Sequence, residues 1–425
     1  MSEKNISGIT KIAVKGFKSI AEECEIDIRP LTILAGANSS GKSSIMQPLL
    51  LLKQTLEAPY DPGPLLIDGP NVQFTSAAQF LSTLTNGKKT DRLEVRIETY
   101  KSNVLNAVRT TFKKGKNGIE IGAMTKENSG YAEPLTLYPE MSPEEIKSLG
   151  QQDSTFRHLD IVKRSRCFLY LGSQDSINRH EVTYGFGSYF LNTIHLPGLR
   201  GTPERTYKQT GTGPQYPGTF EYYTASIIHE WQETTNERLK VLTDALYILG
   251  LTGKVRTQKI GDVGIEVQVG RPLQDGTDEA DMVSIADVGF GVSQVLPVIV
   301  ALIAAEPGQL VYLEQPELHL HPRAQIALAQ VLADAAKRGV RVVAETHSSL
   351  LLLGIQTLIA EGNLSPELVK LNWFTRRADG VTEVNSADLD KTGAYGEWPE
   401  DFADVSLHAQ SSYIKAARSR FVEGT

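Results

Sequence analysis

The stretch Leu31-Thr32-Ile33-Leu34-Ala35-Gly36-Ala37-Asn38-Ser39-Ser40-Gly41-Lys42-Ser43-Ser44 decides how this chain folds. Leu31, Ile33 and Leu34 make an uncharged apolar run, which predicts a buried strand. A turn of Gly and Ser follows. Beyond it, the leucines at 49–52 predict a helix that reaches Leu56. Pro48 lies inside that helix and removes a backbone donor, so a bend or a locally irregular turn is expected. Residues 36–43 fit G-x-x-x-x-G-K-[ST] between strand and helix. In such a loop, glycines let the backbone curl so that amide N–H groups point at a phosphate chain. The helix N-terminus adds partial positive charge. Lys42 is then placed to reach β- and γ-phosphates, and Ser43 to ligate Mg²⁺. Gly36, Asn38, Ser39, Ser40, Gly41 and Ser44 are the other loop residues expected at the nucleotide.

A second apolar run, residues 309–313, ends in Glu314-Gln315-Pro316-Glu317. Open α/β sheets hold their ligands at the C-terminal ends of strands. Glu314 is therefore assigned to Mg²⁺, directly or through water. Gln315 can orient a water but cannot take its proton. Glu317 is a substitute acid if the turn swings it inward. Residues 322–338 predict an amphipathic helix, with Pro322 in its first turn and Gly339 at its stop. Residues 340–344 are the next buried strand, followed by Glu345, Thr346 and His347. His347 can donate a hydrogen bond to a γ-phosphate, or be a satisfied structural residue of the strand end, as a lone histidine there more often is. Strand, helix and strand in succession mean parallel pairing and an α/β core. Upstream, Asp287-Val288-Gly289-Phe290-Gly291-Val292-Ser293-Gln294 opens an apolar stretch. Gly289, Gly291, Ser293 and Gln294 can offer amides and polar side chains to a phosphate at a helix start. His319 and His321 lack a Cys/His partner set of zinc spacing; they are expected to order the turn or face a second subunit.

Elsewhere, Ile12, Val14, Ile26 and Ile28 alternate with polar residues and predict an opening hairpin. Leu93, Val95 and Ile97 alternate with charges, and Lys116-Asn117-Gly118 is a hairpin turn, so 92–122 reads as antiparallel. Residues 167–171 read as a strand, 184–222 as a long ordered loop and 224–250 as helical. The expected class is α/β: a mixed or parallel P-loop sheet, an antiparallel β subdomain and an inserted α-helical region. The expected division is an N-terminal lobe over 1–200, an inserted region over 201–280 and a C-terminal lobe with a short extension over 281–425.

Composition narrows the function classes. The 425 residues carry 43 Lys and Arg against 50 Asp and Glu, a formal charge of −7, which gives no global pull toward nucleic acid. Two cysteines exclude a disulfide scaffold and fit a reducing compartment. The first ten residues lack the apolar core of a secretory signal, and no run approaches the ~18 apolar residues of a membrane span. A cytoplasmic location without a membrane partner is expected. Heptads are absent, which excludes a long coiled-coil arm.

The order of phosphate loop, Gly/Ser segment, acidic strand end and later histidine resembles the ATP-binding cassette (ABC) superfamily. Val14-Lys15-Gly16-Phe17-Lys18-Ser19-Ile20 before the loop resembles its RecF/SMC/OLD branch rather than a transporter subunit. Glu314-Gln315-Pro316-Glu317-Leu318-His319-Leu320-His321-Pro322, and the tail from Gly393 through Trp398 to Phe402, resemble a bacterial subgroup of OLD-like AAA ATPases. Such ATPases often occur in anti-phage defence, the Septu and retron-associated ATPases among them. The resemblance covers about 1–60 and 281–405, with residues 196–205 matched loosely.

It implies ATP and Mg²⁺, an ABC-type ATPase head, Glu314 as Walker B acid and His347 as switch histidine. Gly289, Gly291, Ser293 and Gln294 would cap the γ-phosphate of ATP held by the other subunit. Two heads then sandwich two ATPs head-to-tail, as a C₂ dimer or a larger oligomer built on it. Lys18 and Ser19 are implied near the base or ribose, and Gln73 and Gln79 are Q-loop candidates. Gln315 stands where the superfamily usually has a catalytic glutamate, so slow hydrolysis is expected. The 78 residues after His347 show no evident cluster of metal-binding acids, so a partner such as an HNH nuclease or toxin is expected to act as effector. The alternative is a RecF/SMC-type DNA repair or recombination ATPase that clamps DNA. That reading needs a basic surface, for which Arg200, Arg205, Lys208 and the turn Lys113-Lys114-Lys116 are candidates.

Overall fold

A computed structural model describes residues 7–396 apart from 84–86, 88, 102–103, 117, 129–132, 153–155, 157, 174–178, 184 and 271–281. The opening stretch becomes β3 (Leu31–Gly36), the loop, and α1 (Lys42–Glu57). β3 lies inside a six-stranded sheet. The order is β11 (Ile194–Leu196), β16 (Leu310–Glu314), β17 (Arg341–Thr346), β3, β18 (Val369–Arg376) and β19 (Thr382–Ala387). The neighbours from β11 to β18 pair parallel, and β19 closes the edge antiparallel.

Period-two alternation gives the sheet two apolar faces. Leu31, Ile33, Val311, Leu313, Val342 and Ala344 pack with α6 (Phe290–Ala304), α7 (Pro322–Lys337) and α8 (Ser349–Ala360). Leu34, Leu310, Tyr312 and Val343 pack on the other face, against α1. Glu314 is two residues beyond Tyr312, and Glu345 two beyond Val343. The alternation therefore sends both acids to the face that α1 covers, and the register pairs them side by side.

α1 runs unbroken through Pro48, so the irregular turn expected there does not occur. Every residue from Pro48 to Thr55 is buried, and that packing outweighs one missing backbone bond. Lys53 is fully buried within this helix; its Nζ bonds Glu57 one turn on and donates to Tyr216 O at 3.0 Å.

Over α1 lies the antiparallel sheet β2 (Cys24–Asp27), β1 (Gly8–Lys15), β4 (Arg92–Lys101), β5 (Val104–Gly115), β6 (Gly118–Asn128) and β7 (Leu135–Leu137). The opening hairpin and the antiparallel block over 92–122 are both present. Gly115 pairs with Gly118 across the turn; Asn117 lies outside the described residues. Then come α2 (Pro143–Gln152), the small sheet β8 (Ile161–Ser165), β9 (Phe168–Gly172) and β10 (Arg179–His180), and α3 (Phe186–Leu191).

Two expectations for the middle of the chain need correcting. Residues 184–222 are not one long loop: α3 and β11 lie within them, and β11 is a strand of the central sheet. Three residues before a proline are too few for periodicity to register. Residues 224–250 form two helices, α4 (Thr224–Glu233) and α5 (Glu237–Ile248). Thr235 takes φ 49° between them, and Asn236 caps α5 by accepting from Arg238 N at 2.9 Å. Residues 201–280 also carry strands β12 (Tyr207–Lys208), β13 (Val255–Ile260) and β14 (Gly264–Gly270), to which β15 (Met282–Ser284) adds. Among the described residues no helix is long and apolar enough to cross a membrane. The tail motif is described as far as Gly396; Trp398 to Phe402 lie outside the described residues.

Candidate functional site

The loop conformation has local causes. Gly36 takes φ 144° and Gly41 φ 104°. A Cβ at Gly36 would stand 2.3 Å from Phe374 O, and one at Gly41 would stand 2.3 Å from Thr382 Oγ1. Both positions demand glycine. Lys42 is buried and donates from Nζ to Gly36 O (2.9 Å) and Ala37 O (2.7 Å), bracing the loop from within. Burial pulls its pKa down, against the charges of Glu345 and Glu317. Ser40 Oγ is buried and has no hydrogen-bond partner among the described residues, a polar group of the kind a bound ligand satisfies. The loop opens on a cleft of 740 Å³ lined by Asn38, Ser39, Ser40, Gly41, Lys42, Ser43 and Ser44.

Lys18, Ser19, Gln79, Gln315, Glu345 and His347 line the same cleft. Lys18 takes φ 49°, donates to Gln47 Oε1 at 2.7 Å and lies 5.0 Å from the Phe74 ring centroid. Its half-buried position lowers its pKa. Ser19 Oγ bonds Thr382 Oγ1 at 2.7 Å. Of the two Q-loop candidates, Gln79 lines the cleft and Gln73 does not.

The acids divide unexpectedly. Glu314 Oε1 bonds His195 Nε2 at 3.1 Å, and Oε2 accepts from Gly198 N at 3.2 Å. Burial raises its pKa, but His195, the Gly198 amide and Arg200 outweigh that and hold it below the usual value. Glu314 is thus turned toward β11. Glu345 faces the loop instead: Oε2 accepts from Ser43 Oγ at 2.8 Å, and Oε1 accepts from Tyr312 OH. Burial, with the charge of Glu314 beside it, pushes the Glu345 carboxyl up to about 7. Glu317 is turned inward, 7 % exposed, and accepts from Thr346 Oγ1 (2.7 Å) and His347 N (3.1 Å). It braces the end of β17 rather than contacting the loop. Gln315 takes φ 44° and donates from its backbone to Glu345 O at 3.0 Å. The His347 pKa is lowered by burial and by Lys42, against a hydrogen bond to the Gly36 backbone.

Gly289 is exposed at the start of α6, while Ser293 and Gln294 are buried. Ser293 Oγ donates to Phe290 O (3.1 Å), and Gln294 Nε2 to Gly201 O (2.9 Å). Among the described residues, none of Gly289, Gly291, Ser293 and Gln294 lines the loop cleft of its own chain. His321 Nδ1 caps α7 by accepting from Arg323 N, and the His319 ring packs 5.7 Å from Phe290.

Sequence reasoning missed His195, Asn71 and the structural role of Arg200. His195 stacks on Tyr312 at 5.3 Å between ring centroids, and Asn71 Nδ2 sits 3.0 Å from its Nδ1, fixing the ring beneath Glu314. Arg200, a candidate for the basic surface that the DNA-clamping alternative needs, is buried. It donates to Gln294 O (3.1 Å), Glu314 O (2.8 Å) and Gln315 O (3.0 Å). Arg205 is held by Asp287 at 2.7 Å, and Lys113 pairs with Glu140 at 3.3 Å. The signal for Arg200 and Gly198 was the Leu196-Pro197-Gly198-Leu199-Arg200 run itself.

The head of the SMC protein bound to the C-winged helix domain of ScpA superposes with a TM-score of 0.50 at 15 % identity, covering 90 % of this chain and 98 % of that one. The fold is that of an SMC head. Two further SMC head structures are similar at 13 % identity. One, from Thermotoga maritima, has a TM-score of 0.42 and coverage of 90 % of this chain and 100 % of that one. The other, with an extended coiled coil and bound to the C-terminal domain of ScpA derived from Pyrococcus furiosus, has a TM-score of 0.46 and coverage of 97 % and 100 %. The "AAA ATPase domain" family matches residues 8–170. The family "AAA domain, putative AbiEii toxin, Type IV TA system" matches residues 254–353. Together they support an ATPase of the AAA type. No curated protein matches the chain in sequence.

Proposed function

We propose that this chain is an ATP-binding, slowly hydrolysing ABC-type ATPase that dimerises head-to-tail around ATP. By closing, the dimer gates a separate effector, a nuclease or toxin, in bacterial anti-phage defence. The observation that carries the reading is the phosphate loop at the end of β3, with its two obligatory glycines, buried Lys42 and a Ser40 unpartnered among the described residues. The loop would cradle the triphosphate of ATP, with Lys18 and Ser19 near the base or ribose. Ser43 would hold Mg²⁺ together with an acid at the strand ends, the place for which the sequence named Glu314. These residues fit a hard cation: the donors are oxygens, and among the described residues no group of three His, Cys, Asp or Glu forms a complete cage, which leaves coordination to substrate phosphates. Bound Mg²⁺ supplies charge neutralisation on the phosphates. The division proposed for the chain is an N-terminal lobe over 1–200, an inserted region over 201–280 and a C-terminal lobe over 281–425.

Hydrolysis requires water to attack the γ-phosphorus as the bond to ADP breaks, the water's proton passing to an oxygen of the released phosphate. Gln315 would orient that water without accepting its proton, Glu317 would hold the segment carrying His347, and His347 would face the γ-phosphate. Turnover is expected well below the ~10 s⁻¹ typical of enzymes. Gln315→Glu should accelerate it, and phosphate release measures both. Wild-type turnover at ~10 s⁻¹ or faster would remove the role given to Gln315.

The dimer is proposed from the exposed signature side, where Phe290 is 52 % and Leu199 84 % exposed. ATP drives closure only if it binds the closed form better than the open one. Ser293→Arg should leave ATP binding intact and block ATP-dependent dimerisation in light scattering. Because Ser293 is buried, Gly289→Asp is the companion variant: it suits an exposed N-cap yet repels a phosphate brought by the partner. Dimerisation surviving in both variants would put the signature elsewhere. The DNA-clamping alternative loses Arg200 from its basic surface; salt-sensitive DNA binding by the isolated protein would revive it.

A further inference from the structure

We propose that Glu345 is an acid of the divalent-cation site, held at Ser43 where Glu314 alone was expected. The inference rests on the ATP-binding reading above. Three observations lead to it. First, of the two side-by-side carboxylates only Glu345 reaches the loop, through Ser43 Oγ at 2.8 Å, and it lines the nucleotide cleft. Second, both oxygens of Glu314 are engaged on the far side, by His195 Nε2 and Gly198 N. Third, Glu345 is 3 % exposed, and among the described residues it has no ion-pair partner.

A buried carboxylate beside a second carboxylate is unfavourable unless a cation joins them. Lys42 does not do so: its ammonium hydrogen-bonds to Gly36 O and Ala37 O. Ser40 Oγ in the same loop, buried and without a partner among the described residues, independently marks the cleft as built for a ligand. By accepting the hydrogen of Ser43, Glu345 also leaves the serine oxygen with its lone pairs for a metal. Tyr312 OH holds the other Glu345 oxygen and fixes the side chain. Mg²⁺ is commonly bound by one or two carboxylates together with substrate phosphates, and Glu345 with Ser43 supplies that protein share. Glu314, anchored through His195 and Asn71, then stands behind it.

The test uses the full chain, wild type beside Glu345→Gln and Glu345→Asp. Affinity for a fluorescent ATP analogue is measured in EDTA and in Mg²⁺, and bound Mn²⁺ is counted by electron paramagnetic resonance with a non-hydrolysable ATP analogue. Glu345→Gln is isosteric and can keep bonds to Ser43 and Tyr312. It should bind nucleotide in EDTA about as well as wild type. Its gain in affinity on adding Mg²⁺ should fall about 10-fold or more, with the bound Mn²⁺ signal lost. Glu345→Asp should recover part of both. A full Mg²⁺ gain and Mn²⁺ signal in Glu345→Gln would overturn the assignment while leaving ATP binding standing. A wild type that binds no nucleotide in either condition would overturn both.

Discussion

Alanine at position 42 is expected to abolish ATP binding. The Lys42 ammonium is the one cation supplied from inside the loop, at the first residue of α1 and within 3 Å of two loop carbonyls. Charge-assisted contacts to phosphate are roughly twice as strong as neutral ones. Losing such contacts in a partly desolvated cleft should weaken nucleotide binding by about 3 kcal/mol or more, roughly 100-fold. The fold should survive the change. Burial disfavours this charge, so its removal lifts a desolvation penalty while two carbonyls lose donors. Fluorescent-nucleotide titration beside a thermal melt separates the two effects. Unchanged affinity in a folded Lys42→Ala would remove the phosphate-loop assignment.

What could be read in the sequence divides by range. β3, the loop and α1 were legible because strand, turn and helix are contiguous and each leaves a local pattern. Glu314 was legible for the same reason, at the end of an apolar run. The pairing of Ser43 with Glu345 was not: the residues are 302 apart, and only strand register plus alternation of faces brings them together. His195 escaped because β11 is three residues long. Arg200 was misread because charge composition takes an arginine for surface, whereas here three backbone carbonyls from distant segments surround its guanidinium.

Arg200 also yields the largest expected effect on stability. Its fork joins the loop after β11 to the start of α6 through Gln294 O, and to the end of β16 through Glu314 O and Gln315 O. Burial lowers its pKa to about 10, still high enough to keep it charged at neutral pH. Hydrogen bonds from a charged donor contribute about 1.5–3 kcal/mol each, and buried acceptors left unmade carry a penalty of their own. These terms are not additive, so Arg200→Ala should destabilise by roughly 3–5 kcal/mol. Arg200→Lys keeps the charge but not the planar fork, and should lose about half of that. Urea unfolding midpoints at constant slope measure both. The same carbonyls connect α6, the helix proposed to carry the signature, to the end of β16, so Arg200→Lys should also weaken the proposed ATP-dependent dimerisation more than it weakens ATP binding. An Arg200→Ala variant within about 1 kcal/mol of wild type would mean that other contacts hold these three segments together.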